Sequence, residues 1–340
     1  MTGDPSLPLI SVVIPAYNAQ DTIAQTLRSV QAQTYSALEI IVVDDGSRDD
    51  TARIVEQFAA DDQRIRLVRQ ENAGVARARN NGWHQARSDI IAFVDADDLW
   101  TQDKIACQYA ALQAAGPRAG LVYSWYVMID DGNRVTYRGE GPTFAGAVLD
   151  TLLINNFIGN GSAVLARREA IAAANGYEPA LFDASAQGCE DILFYCRVAE
   201  HYEFAVVEDY QIGYRQLPNA MSANLPRMLR SWIMVLDEMK AKHPEKKGLI
   251  RKGLRAYANW TARRAVHRRQ IGVVFQLAAI AAARSPAVAL GMILGTAPAT
   301  AFEALRWRIP VGRKASNSQA ASAAAESTPS RFSVGSIFEG

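Results

Sequence analysis

Five apolar residues, Ile90-Ile91-Ala92-Phe93-Val94, run without a break into Asp95-Ala96-Asp97-Asp98. So short and β-rich a run reads as a strand buried on both faces. In an open α/β sheet, ligands bind outside the carboxyl ends of the strands. Three acids packed together repel one another and raise each other's pKa. A hard divalent cation relieves that repulsion, because such ions prefer oxygen ligands. The stretch therefore points to a metal–diphosphate site. The blander alternative is a solvated acidic turn capping the next helix.

The preceding residues repeat one pattern. Leu9 to Tyr17 reads as a buried strand ended by Pro15, and Asn18 to Gln33 as a helix with Ile23, Leu27 and Val30 on one face. Leu38 to Val43 is a second strand, breaking at Asp44-Asp45-Gly46-Ser47. A helix through Phe58, a strand at Ile65 to Val68 and a helix from Asn72 past Trp83 follow. Strand and helix alternating in this way predict a parallel, doubly wound sheet with right-handed crossovers. No Gly-x-Gly-x-x-Gly follows any strand, so the usual dinucleotide fingerprint is missing. Three strand ends instead carry polar clusters: Pro15-Ala16-Tyr17-Asn18, Asp44-Asp45-Gly46-Ser47 and Asp95-Ala96-Asp97-Asp98. Further on, the pattern predicts a helix over 103–115, a hairpin turning at Asp130-Asp131-Gly132-Asn133, a helical stretch over 143–156 and a helix over 190–201 opened by Glu190-Asp191. A strand at Phe204 to Val207 comes last, and Tyr214-Arg215 leads into a polar loop.

Charge divides the chain. Residues 1–224 hold 17 Lys and Arg against 29 Asp and Glu, a net −12, whereas residues 225–314 hold 18 against 4, a net +14. Such a split suggests two jobs. We expect a catalytic domain over 1–224, a basic amphipathic helical region over 225–314 and a disordered Ala/Ser-rich tail over 315–340. Residues 270–302 contain one charge, Arg284, in 33 positions. Pro286 and Pro298 interrupt the second half, so helices lying on or dipping into a membrane surface are favoured over a clean span. Cys107, Cys189 and Cys196 have no metal-ligand spacing and cannot all pair, which suggests a reducing compartment. No secretory pattern opens the sequence. The four histidines are scattered and read as surface or packing residues.

Taken in order, Ser-Val-Val-Ile-Pro-Ala-Tyr-Asn at 11–18, Glu-Ile-Ile-Val-Val-Asp-Asp-Gly-Ser-Arg-Asp-Asp-Thr at 39–51, Asn-Ala-Gly-Val-Ala-Arg-Ala-Arg-Asn-Asn-Gly at 72–82, Phe-Val-Asp-Ala-Asp-Asp at 93–98 and Glu-Asp at 190–191 resemble the family 2 glycosyltransferases. The resemblance covers about residues 9–215 and is of the bacterial, cell-surface polysaccharide type. It implies a GT-A fold: a Rossmann-like, mostly parallel sheet flanked by helices. It implies inverting transfer from a nucleotide-sugar, commonly a UDP-sugar, to a hydroxyl of a glycan or lipid-linked acceptor, with Mn²⁺ or Mg²⁺. Position by position, Tyr17 would stack on the base against a wall shaped by Pro15. Asp45 would accept a hydrogen bond from the base, with Asp44 supporting the turn. Arg77 and Asn80 would lie by the ribose and phosphates. Asp97 would contact ribose and metal, Asp98 would be the most direct metal ligand, and Asp95 would hold the turn or support the ligands. Asp191 is the candidate base, at a helix N-terminus that favours an ionised carboxylate. Glu190 would contact acceptor or donor sugar, and Tyr214-Arg215 would reach phosphate from a closing loop. The expected location is cytoplasmic, at the inner face of the plasma membrane.

Three rivals fit less well. A haloacid-dehalogenase-type phosphatase would have Thr or Val where Leu99 stands. A nucleotidyltransferase would want a Gly-rich basic loop where Pro15-Ala16-Tyr17-Asn18 stands. An inactive membrane-associated scaffold or glycan-binding protein on the same fold has no need of all these acids. Nucleic acid is a poorer partner than lipid for the basic region, because an apolar stretch adjoins it.

Overall fold

The computed structural model describes residues 7–217, 221–306 and Phe332. It divides into two units, residues 1–221 with 330–340, and residues 222–329. The expected disordered tail lies outside the described residues except for Phe332, which belongs to the first unit.

The first unit begins with strict alternation: β1 (Ile10–Ala16), α1 (Ile23–Gln31), β2 (Leu38–Asp44), α2 (Thr51–Asp61), β3 (Ile65–Arg69), α3 (Val75–Gln85) and β4 (Ile90–Phe93). Every residue of β1, β2 and β4 is buried, the mark of strands covered on both faces. β1 continues one residue past Pro15, to Ala16. Pairing with β4 has already stopped at Val13, and on that side the proline interrupts no ladder.

After β4 the alternation fails. β5 (Leu99–Trp100) follows at once, then α4 (Lys104–Ala114), β6 (Ala119–Ile129), β7 (Val135–Arg138), α5 (Leu149–Leu152), β8 (Val164–Arg167), α6 (Arg168–Ala173), α7 (Ala180–Asp183), α8 (Glu190–Ala199) and β9 (Glu203–Arg215). The links from β4 to β5 and from β6 to β7 are too short for the crossover that parallel neighbours need. The sheet order is β3-β2-β1-β4-β8-β6-β9-β5, with β7 on β6. Strands run parallel from β3 to β4 and again between β6 and β9, while β4–β8, β8–β6, β6–β7 and β9–β5 are antiparallel. The sheet is thus the mostly parallel, helix-flanked one expected, but its second half is mixed rather than doubly wound. The helix expected over 143–156 shrinks to the four residues of α5. β9 is far longer than the strand expected at Phe204 to Val207 and absorbs Tyr214 and Arg215.

The second unit is helical: α9 (Leu225–Lys242), α10 (Lys247–His267), α11 (Ile271–Ala282) and α12 (Pro286–Arg306). The Asn224 side chain caps α9 by accepting from the Arg227 N–H at 3.1 Å. Leu225, Met228, Leu229, Trp232, Ile233, Leu236 and Met239 form its buried stripe. The Trp232 indole stacks on Tyr257 of α10 at 5.1 Å and donates to the Gly253 carbonyl. Arg284, the lone charge of 270–302, pairs with Asp237 of α9 at 2.5 Å. Among the described residues no helix is long and apolar enough to cross a membrane.

Candidate active site

The acidic turn after β4 is fastened from every side. The Val94 N–H donates to the Val13 carbonyl, and the Asp98 N–H donates back to the Asp95 carbonyl at 3.1 Å. The Thr26 hydroxyl of α1 lies 3.0 Å from the Ala96 carbonyl and 2.9 Å from that of Asp98. Ser162, in a single 3-10 turn before β8, is the hub. Its Oγ accepts the Asp95 N–H at 2.9 Å and donates to Asp98 Oδ2 at 2.5 Å, while its carbonyl accepts the Trp100 indole N–H. Arg215 closes the other side. Its N–H donates to Asp98 Oδ1 at 2.9 Å, and its guanidinium donates to the carbonyls of Asp97, Asp130 and Asp131 and to Gln25 Oε1.

This geometry separates the three acids. Asp98 is fully enclosed, with both carboxylate oxygens engaged inside the protein. Burial, with the charges of Asp97 and Asp95, pushes its pKa well up, against the pull of Ser162 and the Arg215 N–H. Asp98, expected from the sequence to be the most direct metal ligand, clamps the turn here with both oxygens. Asp95 is partly exposed and accepts a 2.5 Å ion pair from Arg79 Nη2. The Asp97 carboxylate takes no hydrogen bond from another described residue. Burial, reinforced by Asp95, raises its pKa to about 6 against Arg215 and Arg79. No three His, Cys, Asp or Glu side chains among the described residues converge as a ready metal cage. One open carboxylate still suits Mn²⁺ or Mg²⁺, which are held by one or two carboxylates together with substrate phosphates.

The other two strand ends meet nearby. The Asn18 N–H donates to Ser47 Oγ, and Asn18 Oδ1 accepts the Arg48 N–H, so the ends of β1 and β2 are stitched together. Pro15 is buried and Tyr17 is 50% exposed beside it. Asp44 Oδ1 accepts the Ser47 N–H at 3.0 Å. Asp45 is buried, and it accepts from the Gln70 amide and the N–H groups of Ala73 and Gly74 at 2.7–2.8 Å. Its carboxylate is spent on the loop entering α3 rather than left open to a base. Arg77 forms an exposed pair with Asp183. Asn80 bridges both backbone groups of Tyr177 and accepts the Trp83 indole N–H. Arg77 and Asn80, expected by the ribose and phosphates, are each bonded to the segment around α7.

The sequence reading missed Arg79. It is 4% exposed, pairs with Asp95 and lies with its Cζ 5.0 Å over the Tyr177 ring. Gly161 makes room for it, since a Cβ there would stand 2.4 Å from Arg79 Nη2. The signal was helical phase: Arg79 shares the buried face of α3 with Ala76, Gly82 and Trp83, whereas Arg77 sits on the outer face.

Asp191 occupies the first turn of α8 and is partly exposed, with Oδ1 accepting the Ile192 N–H at 2.7 Å. Burial raises its pKa to about 7. Arg79 and the Ile192 N–H pull it down, and Glu190 and Asp95 push it up. Glu190 is buried and accepts the Gly188 N–H, which fixes the entry to α8. Arg215 is 2% exposed at the end of β9, and Tyr214 meets Tyr126 edge-on at 5.8 Å. That pair, expected to reach phosphate from a closing loop, stands at the end of the sheet strand β9.

The strand ends of the mixed α/β sheet thus carry a fastened acidic turn and, apart from it, the raised carboxylate of Asp191. Residues 11–173 match the family model Glycosyl transferase family 2. That stretch of the chain is similar to this family, and the chain shares the GT-A fold of the solved structures below. Over 163 residues it is 34% identical to the Escherichia coli UDP-Glc:alpha-D-GlcNAc-diphosphoundecaprenol beta-1,3-glucosyltransferase WfgD, covering 44% of this chain and 63% of that one. It is 35% identical over 151 residues to TuaG of Bacillus subtilis, named as a candidate teichuronic acid biosynthesis glycosyltransferase, covering 43% and 59%. The matched stretch thus spans less than two thirds of either relative. Among solved structures, S. aureus TarS 1-349 in complex with UDP-GlcNAc superposes with a TM-score of 0.60 at 16% identity, over 76% of this chain and 74% of that one. The mannosyltransferase PcManGT from Pyrobaculum calidifontis, in complex with GDP-Man and Mn²⁺, gives 0.56 at 19% identity, over 90% and 82%. These two likenesses bear on the fold.

Proposed function

We propose that this protein transfers a sugar from a nucleotide-sugar, a UDP-sugar in particular, to a hydroxyl of a glycan or lipid-linked acceptor, with inversion, in cell-envelope polysaccharide synthesis. The observation that carries the reading is Asp191, a partly exposed carboxylate raised to about 7 near the Arg79–Asp95 pair. A base of that strength is half ionised near neutral pH. Its carboxylate takes the proton of the acceptor hydroxyl. The freed oxygen attacks the anomeric carbon from the face opposite the diphosphate. The bond to the diphosphate breaks, and its electron pair leaves on the diphosphate oxygen.

Tyr17 offers its exposed ring to the base, with Pro15 behind it. Asp44 and Asp45 shape the floor through the loops they hold. Asp97 is the residue that would hold Mn²⁺ or Mg²⁺, with Asp95 beside it and Asp98 fixing the turn from below. A divalent ion held there supplies positive charge against the leaving diphosphate. Glu190 and Arg79 position Asp191. The basic second unit fits a location at the inner face of the plasma membrane, where lipid-linked acceptors are reached. The GDP-Man and Mn²⁺ of PcManGT and the UDP-GlcNAc of TarS support a nucleotide-sugar donor and a metal requirement.

A panel of nucleotide-sugars, assayed by calorimetry and by slow donor hydrolysis, tests the reading. Asp191→Asn should keep donor affinity within about twofold and lose transfer by about 10²–10⁴-fold, the usual worth of a general base. Near-normal turnover would remove Asp191 as the base. The alternative, an inactive membrane-associated glycan-binding protein, would take glycan without any turnover of donor.

A further inference from the structure

The first unit buries one residue that arrives from the far end of the chain. Phe332 is 4% exposed in a cluster with Leu99, Val127 and Ile129, and Val135 and Tyr210 pack against that cluster. The space exists because position 213 is glycine: a Cβ there would come within 3.0 Å of the Phe332 ring. The Phe332 N–H donates to the Asn133 carbonyl at 2.9 Å. A ring held by an apolar socket and a backbone hydrogen bond has a defined seat.

The surroundings of that seat are the fastenings of the acidic turn. Leu99 follows Asp98 directly, and it is the register partner of Gly213, two residues before Arg215. The Asn133 N–H closes the hairpin turn onto the Asp130 carbonyl. The carbonyls of Asp130 and Asp131 hold the Arg215 guanidinium, whose Nε holds the Asp97 carbonyl. Phe332 therefore touches β5, β9 and the hairpin turn: β5 follows Asp98 directly, β9 bonds the acidic turn through Arg215, and the hairpin turn reaches it through the same arginine.

We propose that Phe332 is a positioning residue, an intramolecular strap that docks in the first unit and holds the acid-bearing corner in its donor-binding geometry. The ring wedges β5 against β9, the backbone bond sets the hairpin turn, and the turn's carbonyls fix Arg215 under Asp97. The docked group is the chain's own Phe332, and the socket over Gly213 is its receptor. The link to donor binding rests on the transferase reading; the mechanical link does not.

The test uses the full-length chain with Phe332→Ala, and Phe332→Leu as the variant that keeps apolar volume. Amide hydrogen exchange is followed without ligand, and UDP affinity is measured with Mn²⁺ present. The expected result is faster exchange in Phe332→Ala at residues 97–100, 130–134 and 213–215, with β2 unchanged. UDP should bind about tenfold more weakly, within the usual range of coupling between sites, and Phe332→Leu should recover most of both effects. Unchanged exchange at that corner, or exchange accelerated evenly through the unit, would overturn the proposal. Wild-type protein that binds no UDP would count against the transferase reading, and the exchange pattern alone would then decide the strap.

Discussion

On the proposed reading Asp191 and Asp97 carry most of the chemistry, and both differ from their neighbours by environment rather than by type. Since burial raises the Asp191 pKa to about 7, the protein should lose activity as pH falls through that value, and kcat/KM should drop tenfold per pH unit below it. The sign for stability is opposite. A folded-state pKa above the unfolded one means that ionisation opposes folding, so stability falls as pH rises from the ordinary carboxylate range through about 7. Asp191→Asn should accordingly raise Tm more at pH 8 than at pH 5; an equal gain at both would refute the shift. Asp97→Ala should abolish metal-dependent UDP binding with little change in Tm. Asp98→Ala, which strands Ser162 and the Arg215 N–H in the interior, should cost about 1–3 kcal/mol of stability or more, read from denaturant unfolding. Two arginines separated by one residue offer the same contrast. The exposed Arg77–Asp183 pair should be worth about 0–1 kcal/mol, whereas Arg79→Ala, which leaves Asp95 without its buried partner, should cost about 3–5 kcal/mol. The order of the acids was legible in the sequence. Which acid is open and which is enclosed was not, because Ser162 and Arg215 come from segments remote in the chain.

Elements with strong periodicity were read correctly and those shaped by tertiary contacts were not. β1, β2 and β4 announce themselves as apolar runs, and α3 follows its turn as expected. The 143–156 stretch has helical spacing, yet only α5 forms, because the chain there is committed elsewhere: the Tyr123 hydroxyl holds the carbonyls of Pro142 and Phe144, and Gly146 bridges Phe204. β9 was cut short in the reading because its polar centre, Glu208 and Asp209, hides a register shift against β6. The 3-10 turn before β8 is the least legible element and among the most consequential, since it brings Gly161 against Arg79 and Ser162 against Asp98. Gly161→Ala should push the Arg79 guanidinium off Asp95, lowering transfer by more than tenfold while UDP affinity, set by other strand ends, stays near normal. Equal losses in both measurements would show that the turn acts only as packing.

The chain as a whole joins an acidic unit to a basic one. In the second unit the only charge of residues 270–302, Arg284, is turned onto Asp237, while Phe275, Leu290 and Leu294 are each more than half exposed. We propose that these exposed apolar side chains meet a lipid surface, with the Lys and Arg of α10 drawn to anionic headgroups. Vesicles containing anionic lipid should pellet the protein at low salt, and the Leu290→Glu, Leu294→Glu double variant should bind them about tenfold less. Binding that ignores both salt and these substitutions would sink the membrane reading. The sheet of the first unit has a seam of its own, where parallel β4 meets antiparallel β8. On one side lie the strand ends assigned to the nucleotide; on the other lies the stretch that carries no readable motif. Such a seam makes the scaffold recombinable: a segment from a relative with another acceptor could replace the far side while the near side stays as it is. One condition travels with any such graft. A hydroxyl must stand at position 162, because from the far side it bonds both the Asp95 N–H and the Asp98 carboxylate at the acidic turn.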